Sequence, residues 1–290
     1  MKILLIHKTN VGGVARYVSE VKKVLINLGY DVDEITRNED FKINSFLKSI
    51  TLIKKFRNLS KKYDLIISND WSIAFLFLGV KNNISVFHGF PTNIFAKIIQ
   101  NLIIKILGKK SIVVSKYMGK KYKNSKVIEE GVNLDTFKPL KNIRIKNLVG
   151  VAQPYNLDLI KLVVKKLGLK LIIAKGIPKE KMNEFYNKLS LFISIPPKTT
   201  GFNLVWLEAM ASNTPTIGTN YGVGEELPIT KINLENEREL KKAIKIEMKK
   251  KNKYRRWLIK NNYTWEKHVK DLLDYIYELK IINIQQQNDL

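Results

Sequence analysis

The run Thr199-Thr200-Gly201-Phe202-Asn203-Leu204-Val205-Trp206-Leu207-Glu208-Ala209-Met210-Ala211 joins a glycine turn to the start of a helix. Amides at a helix start lack intrahelical acceptors and sit at the positive end of the macrodipole. Those of Gly201, Phe202, Asn203 and Leu204 can therefore hold a diphosphate. Glu208 follows two helical turns on from Gly201, near the same face, where a carboxylate can accept both hydroxyls of a ribose. The plainer reading is a helix cap with a solvated glutamate behind it. A second glycine pair, Gly12-Gly13, follows the first apolar run. Glycine lets backbone amides approach a ligand, and a helix N-terminus after it favours negative charge. The pair falls short of a full G-x-G-x-x-G, which argues against a dinucleotide site. A tight turn is the alternative there.

Other residues with chemical potential read as structural. The three histidines, His7, His88 and His268, are scattered and there is no cysteine, so disulfides, thiolate chemistry and a zinc site are not expected. His7 ends the first apolar run and is expected to pack. His268 is expected to be solvated on a surface helix. Trp206 is expected in the core or a cleft wall.

These residues need elements to position them. Hydrophobic period gives a repeated strand–helix alternation. Ile3 to Ile6 is a short apolar run, as for a strand buried on both faces. Val14, Tyr17, Val18, Val21, Val24, Leu25 and Leu28 then mark one helical face, ended by Gly29. Val32 to Ile35, Leu65 to Ile67, Ile84 to Phe87 and Ile112 to Val114 read as further strands. Ile43 to Leu59 and Ile94 to Leu107 read as helices, the second closed by Gly108-Lys109-Lys110. Proline and charge near Lys138-Pro139-Leu140-Lys141-Asn142 break the period. A second set begins at Leu148, with strands at 169–174, 191–195 and 214–217 and helices at 157–167, 179–189, 204–211 and 235–248. Tyr254 to Leu279 reads as one long helical region, and the tail from Ile281 as frayed. The expected fold class is α/β, with two Rossmann-like, doubly wound domains facing a cleft: 1–140, 141–265, and a terminal helix and tail over 266–290. Ligands in such sheets sit beyond the carboxyl ends of the strands.

Composition agrees with two cores. A chain of 290 residues, 45% hydrophobic, exceeds what one ordinary core needs, so two domains of about 140 residues follow. The apolar start is too short for a signal sequence or a span. Ile94 to Leu107 is interrupted by Lys97, Gln100, Asn101 and Lys105, so no membrane-spanning helix is expected. The formal charge is +25, and 44 of the 51 basic residues are lysine. That charge reflects either a compositional bias toward lysine, isoleucine and asparagine or an attraction to nucleotide phosphates, acidic headgroups or nucleic acid. Nucleic acid ranks lowest, because arginine forks and aromatic platforms are not clustered. Lys54-Lys55-Phe56-Arg57, Lys61-Lys62 and the helix 94–110 suggest a basic–apolar surface for an anionic membrane; a solvated face over a core helix is the alternative.

The glycine–glutamate run, followed by Ser212-Asn213-Thr214-Pro215-Thr216-Ile217, resembles the E-G-F-G-L-x-x-L-E-A-M-A-x-G-T-P-V-I of group 1 (family 4) glycosyltransferases. That family includes glycogen and sucrose synthases. Five other stretches resemble it in order. Gly12-Gly13-Val14-Ala15-Arg16-Tyr17 is similar to its glycine loop, and Val86-Phe87-His88-Gly89 to its strand-end histidine. Val113-Val114-Ser115-Lys116-Tyr117 is similar to V-S-x-Y, the stretch Val127 to Pro139 to I-x-N-G-V-D-x-x-x-F-x-P, and Tyr263-Thr264-Trp265-Glu266 to F-S-W-E. The resemblance implies the GT-B fold and transfer of a sugar from a nucleotide-sugar donor, mostly with retention and with no metal or other cofactor. It implies that the second domain binds the donor and the first holds most of the acceptor, a glycan, lipid-linked sugar or protein. By it Glu208 meets the ribose; Gly201, Phe202, Asn203 and Leu204 meet phosphate and sugar; His88 is the catalytic-side histidine; and Gly12 and Gly13 border the donor. A cytoplasmic site of action is expected, with the inner membrane surface as a peripheral location.

Two departures stand out. Thr200 replaces the family's first glutamate, keeping a hydrogen-bonding group without its charge. The family's Arg and Lys pair after the first strand of the second domain is missing from Gly150-Val151-Ala152-Gln153-Pro154-Tyr155-Asn156. By position, Lys198 or Lys175 can substitute. Two other classes stay open: a degenerate binder of the same fold, and a basic nucleic-acid-binding protein. Asp31-Val32-Asp33 spells the metal-holding D-x-D of another glycosyltransferase architecture, but it begins the second strand and reads as structural.

Overall fold

Strands that are apolar on both faces have to be covered on both faces, and here they form two parallel sheets. The structure is a computed structural model that describes residues 1–42, 48, 50–232 and 236–281. In the first sheet, β1 (Lys2–His7) lies between β2 (Asp31–Thr36) and β3 (Leu65–Asn69). It continues through β4 (Asn83–Phe87), β5 (Ser111–Val113) and β6 (Lys126–Val127), in the order β2-β1-β3-β4-β5-β6. Every pairing is parallel, with Ile6 opposite both Ile35 and Ser68. The helix Gly13–Asn27 buries Tyr17, Val18, Val21, Val24 and Leu25, the face its spacing predicts. The strand order reverses at β1, so the switch point lies at the carboxyl ends of β1 and β3.

The second sheet comprises β7 (Leu148–Val151), β8 (Lys170–Ile173), β9 (Leu191–Ile193), β10 (Thr216–Thr219) and β11 (Thr230–Ile232). Its order is β11-β10-β9-β7-β8, again all parallel. The reversal falls between β7 and β9. One of its cores gathers Phe137, Tyr186, Phe192, Trp206, Met210 and Leu258. The other lies around Val149, Ile160, Ile193, Ile217 and Leu240. Helices Leu157–Lys166, Met182–Lys188, Leu204–Ala211 and Glu237–Glu247 match the expected positions to within a few residues.

The chain divides into residues 1–129 with Trp265 onward, and Glu130–Thr264. This corrects the expected 1–140, 141–265 and 266–290 in two ways. The segment after Glu130 belongs to the second unit, because Val132 and Phe137 are buried in its core. Asn183 and Asn187 also hold the backbone of Lys138 and Leu140. The terminal region is two helices, Tyr254–Lys260 and Trp265–Glu278, broken where Asn262 takes φ 52°. The second helix returns to the first unit, where the Tyr275 hydroxyl donates to Lys109 O at 2.7 Å. Of the helix expected over 43–59, residues 43–47 and 49 lie outside the described residues, and Ile53–Ser60 is helical. Residues 282–290 of the tail and Glu235 also lie outside them. The short strands β6 and β11, two and three residues long, escape sequence reading because no period can be counted over so few positions.

Candidate functional site

In the second unit, the chain leaves β9 beside the switch point and runs through Ser194 to Asn203 before the helix Leu204–Ala211. Asn203 sits at the N-cap but does not cap. Its amide nitrogen donates instead to Ser194 Oγ at 3.1 Å, tying the helix start to the strand end. The Trp206 indole N–H donates to Ser194 O at 3.2 Å, and its ring is fully buried. Trp206 is thus core, as expected. The Trp206 N–H donates to Asn203 O at 3.1 Å, and the Leu204 and Val205 amides ahead of it lead the helix, where an anion can bind.

A second loop shapes this turn. The 3-10 turn Gly222–Glu225 packs on the Thr200–Gly201 backbone, and Val223 N–H donates to Gly201 O at 3.1 Å. A Cβ at Gly222 would lie 2.6 Å from both Thr200 O and Gly201 O, and its φ is +55°. Glycine is required there by close approach and by conformation together. Gly218 and Gly224 similarly clear room for the Trp206 ring. Sequence reasoning missed this support, although three glycines within seven residues after a predicted strand were the available signal.

Glu208 is buried, so it is not the solvated glutamate of the plainer reading. One carboxylate oxygen accepts from the Tyr186 hydroxyl at 2.8 Å. The Lys198 ammonium lies 5.3 Å from the centre of the Tyr221 ring, a cation–π contact that holds it near the turn. Lys175 is exposed just past the end of β8, one strand beyond β7. At the end of β7, the Gln153 amide oxygen is buried without a hydrogen-bond partner among the described residues. The Asn156 amide nitrogen donates to Ile195 O at 3.1 Å, bridging the two strand ends at the switch point.

In the first unit, Gly12 takes φ +91° and opens the helix Gly13–Asn27. A Cβ at either glycine would meet nothing within 4 Å. His88 follows β4, and its Nε2 lies 2.9 Å from Asn69 Oδ1 at the end of β3. The Asn69 amide nitrogen already donates to Ile6 O and Ile67 O, so its oxygen faces the ring and His88 Nε2–H donates to it. His88 also packs edge-on against Tyr17, with centroids 4.5 Å apart. Asn69 and the next residue Asp70, which takes φ 68°, were missed in the sequence. Their signal was a polar pair closing an apolar strand.

His268 corrects the expectation of a solvated side chain: it is buried. Packing against the Tyr17 and Trp265 rings explains this, since the helix Trp265–Glu278 lies on Gly13–Asn27. Its Nδ1 lies 2.8 Å from Glu129 O, which only accepts, so Nδ1 carries the proton and Nε2 accepts from the Tyr17 hydroxyl at 2.9 Å. Burial lowers its pKa from 6.5 to about 4, so the ring is neutral near pH 7. His7 is packed as expected, with Nε2 near Glu34 and Thr36. Asp31 and Asp33 pair with Lys2 at the amino-terminal end of the sheet, opposite the switch point. The Tyr63 hydroxyl donates to Asp33 and holds its pKa below the usual range.

Residues 132–246 match the family model of glycosyl transferases group 1. The matched residues all lie within the second unit. Solved structures extend the likeness to the whole chain as a shared fold, GT-B. Sucrose-phosphate synthase from Thermosynechococcus elongatus superposes with a TM-score of 0.74 at 16% identity, covering 96% of this chain and 98% of that one. A glycosyltransferase from Rickettsia africae gives 0.68 at 20% identity, covering 96% and 98%. Anabaena HepE in complex with UDP-glucose gives 0.61 at 14% identity, covering 99% and 98%. No curated protein matches at the sequence level.

The second unit brings Thr200, Gly201, Phe202, Asn203, Leu204 and Lys198 together on one loop and helix start. Glu208 lies on the same helix but is enclosed by Tyr186. Gly12, Gly13 and His88 belong to the other unit of this GT-B chain, at the ends of β1 and β4.

Proposed function

We propose that this glycosyltransferase moves a hexosyl group from a nucleotide sugar to an acceptor glycan, lipid-linked sugar or protein, with retention of configuration and without a metal. The observation that carries this reading is the Thr199–Asn203 turn at the strand switch point, pinned from behind by Gly222 and opening into a helix N-terminus. Helix amides stabilise the charge that develops on a departing diphosphate without reorganising. Lys198 and Lys175 add the positive charge that the missing Arg and Lys pair would have supplied. Glu208 is assigned to the ribose by its place on the helix, and Thr200 offers a hydroxyl to the sugar. His88, oriented by Asn69, is the first unit's contribution. HepE is solved in complex with UDP-glucose and a starch synthase catalytic domain bound to ADP, which supports a nucleoside diphosphate donor. The site of action is the cytoplasm or the inner face of its membrane.

A second reading, donor binding without turnover, is favoured by two observations. Thr200 supplies no charge, and the Glu208 carboxyl is buried against Tyr186. A thermal-shift screen with UDP, GDP, ADP and their sugars tests both readings, because a ligand that binds only the native state raises the melting point. One nucleotide and its sugar are expected to stabilise the chain, with slow release of nucleoside diphosphate that EDTA leaves unchanged. Stabilisation without release selects the second reading, and no stabilisation by any nucleotide refutes both. Lys198→Ala and Lys175→Ala test the phosphate site: at least one should weaken nucleoside diphosphate binding, and unchanged affinity in both ends that assignment.

A further inference from the structure

The helix Ile94–Leu107 in the first unit is apolar on two opposite sides. Ala96, Gln100, Ile103 and Ile104 face the core. Ile94, Phe95, Ile98, Leu102 and Ile106 are each at least half exposed. At about 100° per residue these five fall in one arc of roughly 120°, opposite the buried set. A surface helix ordinarily carries charge on that side. Within the arc the only charge is Lys105, also exposed. A run of large apolar side chains this long marks an interaction surface.

The surrounding charge says what covers it. From Trp71 to Ile128 the sequence has ten lysines and no aspartate or glutamate. Lys105, Lys121 and Lys123 line a groove of about 440 Å³ beside the helix, with Asn101 and Tyr122. Lys121 is steadied over the Phe90 and Tyr122 rings at 5.0 and 5.5 Å. A second copy of this chain would bring the same positive field against itself. An anionic bilayer meets both features, acyl chains taking the stripe and headgroups the lysines. The helix has 14 residues, about 21 Å, too short to cross a bilayer, and no helix among the described residues is long and apolar enough to do so.

We propose that the Ile94–Leu107 helix docks the first unit in the interface of an anionic lipid bilayer, with its apolar stripe inserted and Lys105, Lys121 and Lys123 on the phosphates. The proposal stands apart from glycosyl transfer, since none of these side chains belongs to the donor site.

Co-sedimentation of the full chain with vesicles tests it, using phosphatidylcholine alone and with a third phosphatidylglycerol. Binding is expected to the anionic vesicles and to fall steeply with salt. Ile98→Asp/Leu102→Asp should lower the partition coefficient at least tenfold, with an unchanged circular dichroism spectrum and melting point, because both side chains are exposed. Lys105→Glu/Lys121→Glu/Lys123→Glu should lower it similarly and abolish the preference for anionic lipid. Equal binding to both vesicles, or a stripe variant that binds like the native chain, overturns the proposal. So does a stripe-dependent dimer in sedimentation velocity without vesicle binding. Nucleotide-induced thermal shifts should be the same in the stripe variant and the native chain, which separates failure here from failure of the donor site.

Discussion

Gly222→Ala isolates the contact that shapes the phosphate turn. Alanine at φ +55° carries a conformational cost of about 1–2 kcal/mol. Its methyl would also lie 2.6 Å from the carbonyl oxygens of Thr200 and Gly201, which are backbone atoms and cannot rotate aside. Relieving that overlap costs about 1–3 kcal/mol. Separating the loops stretches the Val223 N–H to Gly201 O bond, worth about 1 kcal/mol. The expected loss of stability is therefore about 3–6 kcal/mol. Gly168→Ala is the control in the same unit: φ is +65° but nothing lies within 4 Å, so only the conformational cost of about 1–2 kcal/mol remains. Urea melts followed by tryptophan fluorescence measure both, since Trp206 lies directly under Gly218 and Gly224. Nucleoside diphosphate affinity, measured by calorimetry at a temperature where both variants are folded, should fall at least tenfold for Gly222→Ala and stay unchanged for Gly168→Ala. Equal destabilisation by the two would show that the turn is not pinned by Gly222. A larger loss for Gly222→Ala with unchanged affinity would remove the turn as the phosphate site.

Two further expectations follow from buried groups. Glu208→Gln keeps an acceptor for Tyr186 and should weaken nucleoside diphosphate binding while leaving inorganic pyrophosphate, which lacks a pentose, unaffected; equal weakening of both would make Glu208 a structural residue only. His268 takes up its proton near pH 6.5 when unfolded but near 4 when folded, so its neutral form stabilises the fold at neutral pH and that contribution is lost as pH falls through this window. The full loss is about 3 kcal/mol, and His268→Gln should flatten the stability profile between pH 6.5 and 4; an unchanged slope would mean that His268 charges freely in the folded state.

Most of the architecture was readable from local pattern. β1, β3, β4 and β9 were found from short apolar runs because parallel strands are buried on both faces, and of the polar residues that β3 and β4 do carry, Ser68, Asn83 and Ser85 are buried and hydrogen-bonded to one another. The Leu204–Ala211 helix was read to the residue from the glycine turn ahead of it. Less legible were features whose cause lies far along the chain. The break at Asn262 is a single left-handed residue in a helical period, and nothing nearby tells that the next helix returns to the first unit. His268 read as a surface residue because its partners, Tyr17 and the Glu129 carbonyl, are 251 and 139 positions away.

Residue type and spacing alone were enough for the alternation of strand and helix, the location of the glycine turn and the resemblance of six ordered stretches, because those depend on neighbours within a few turns. Strand order, the Gly222 support beneath Gly201, the Asn69 contact that orients His88 and the Tyr186 hydroxyl on Glu208 depended on which distant segments met. Burial makes the difference: a side chain's protonation, partner and access are set by what covers it, and the cover comes from elsewhere in the chain.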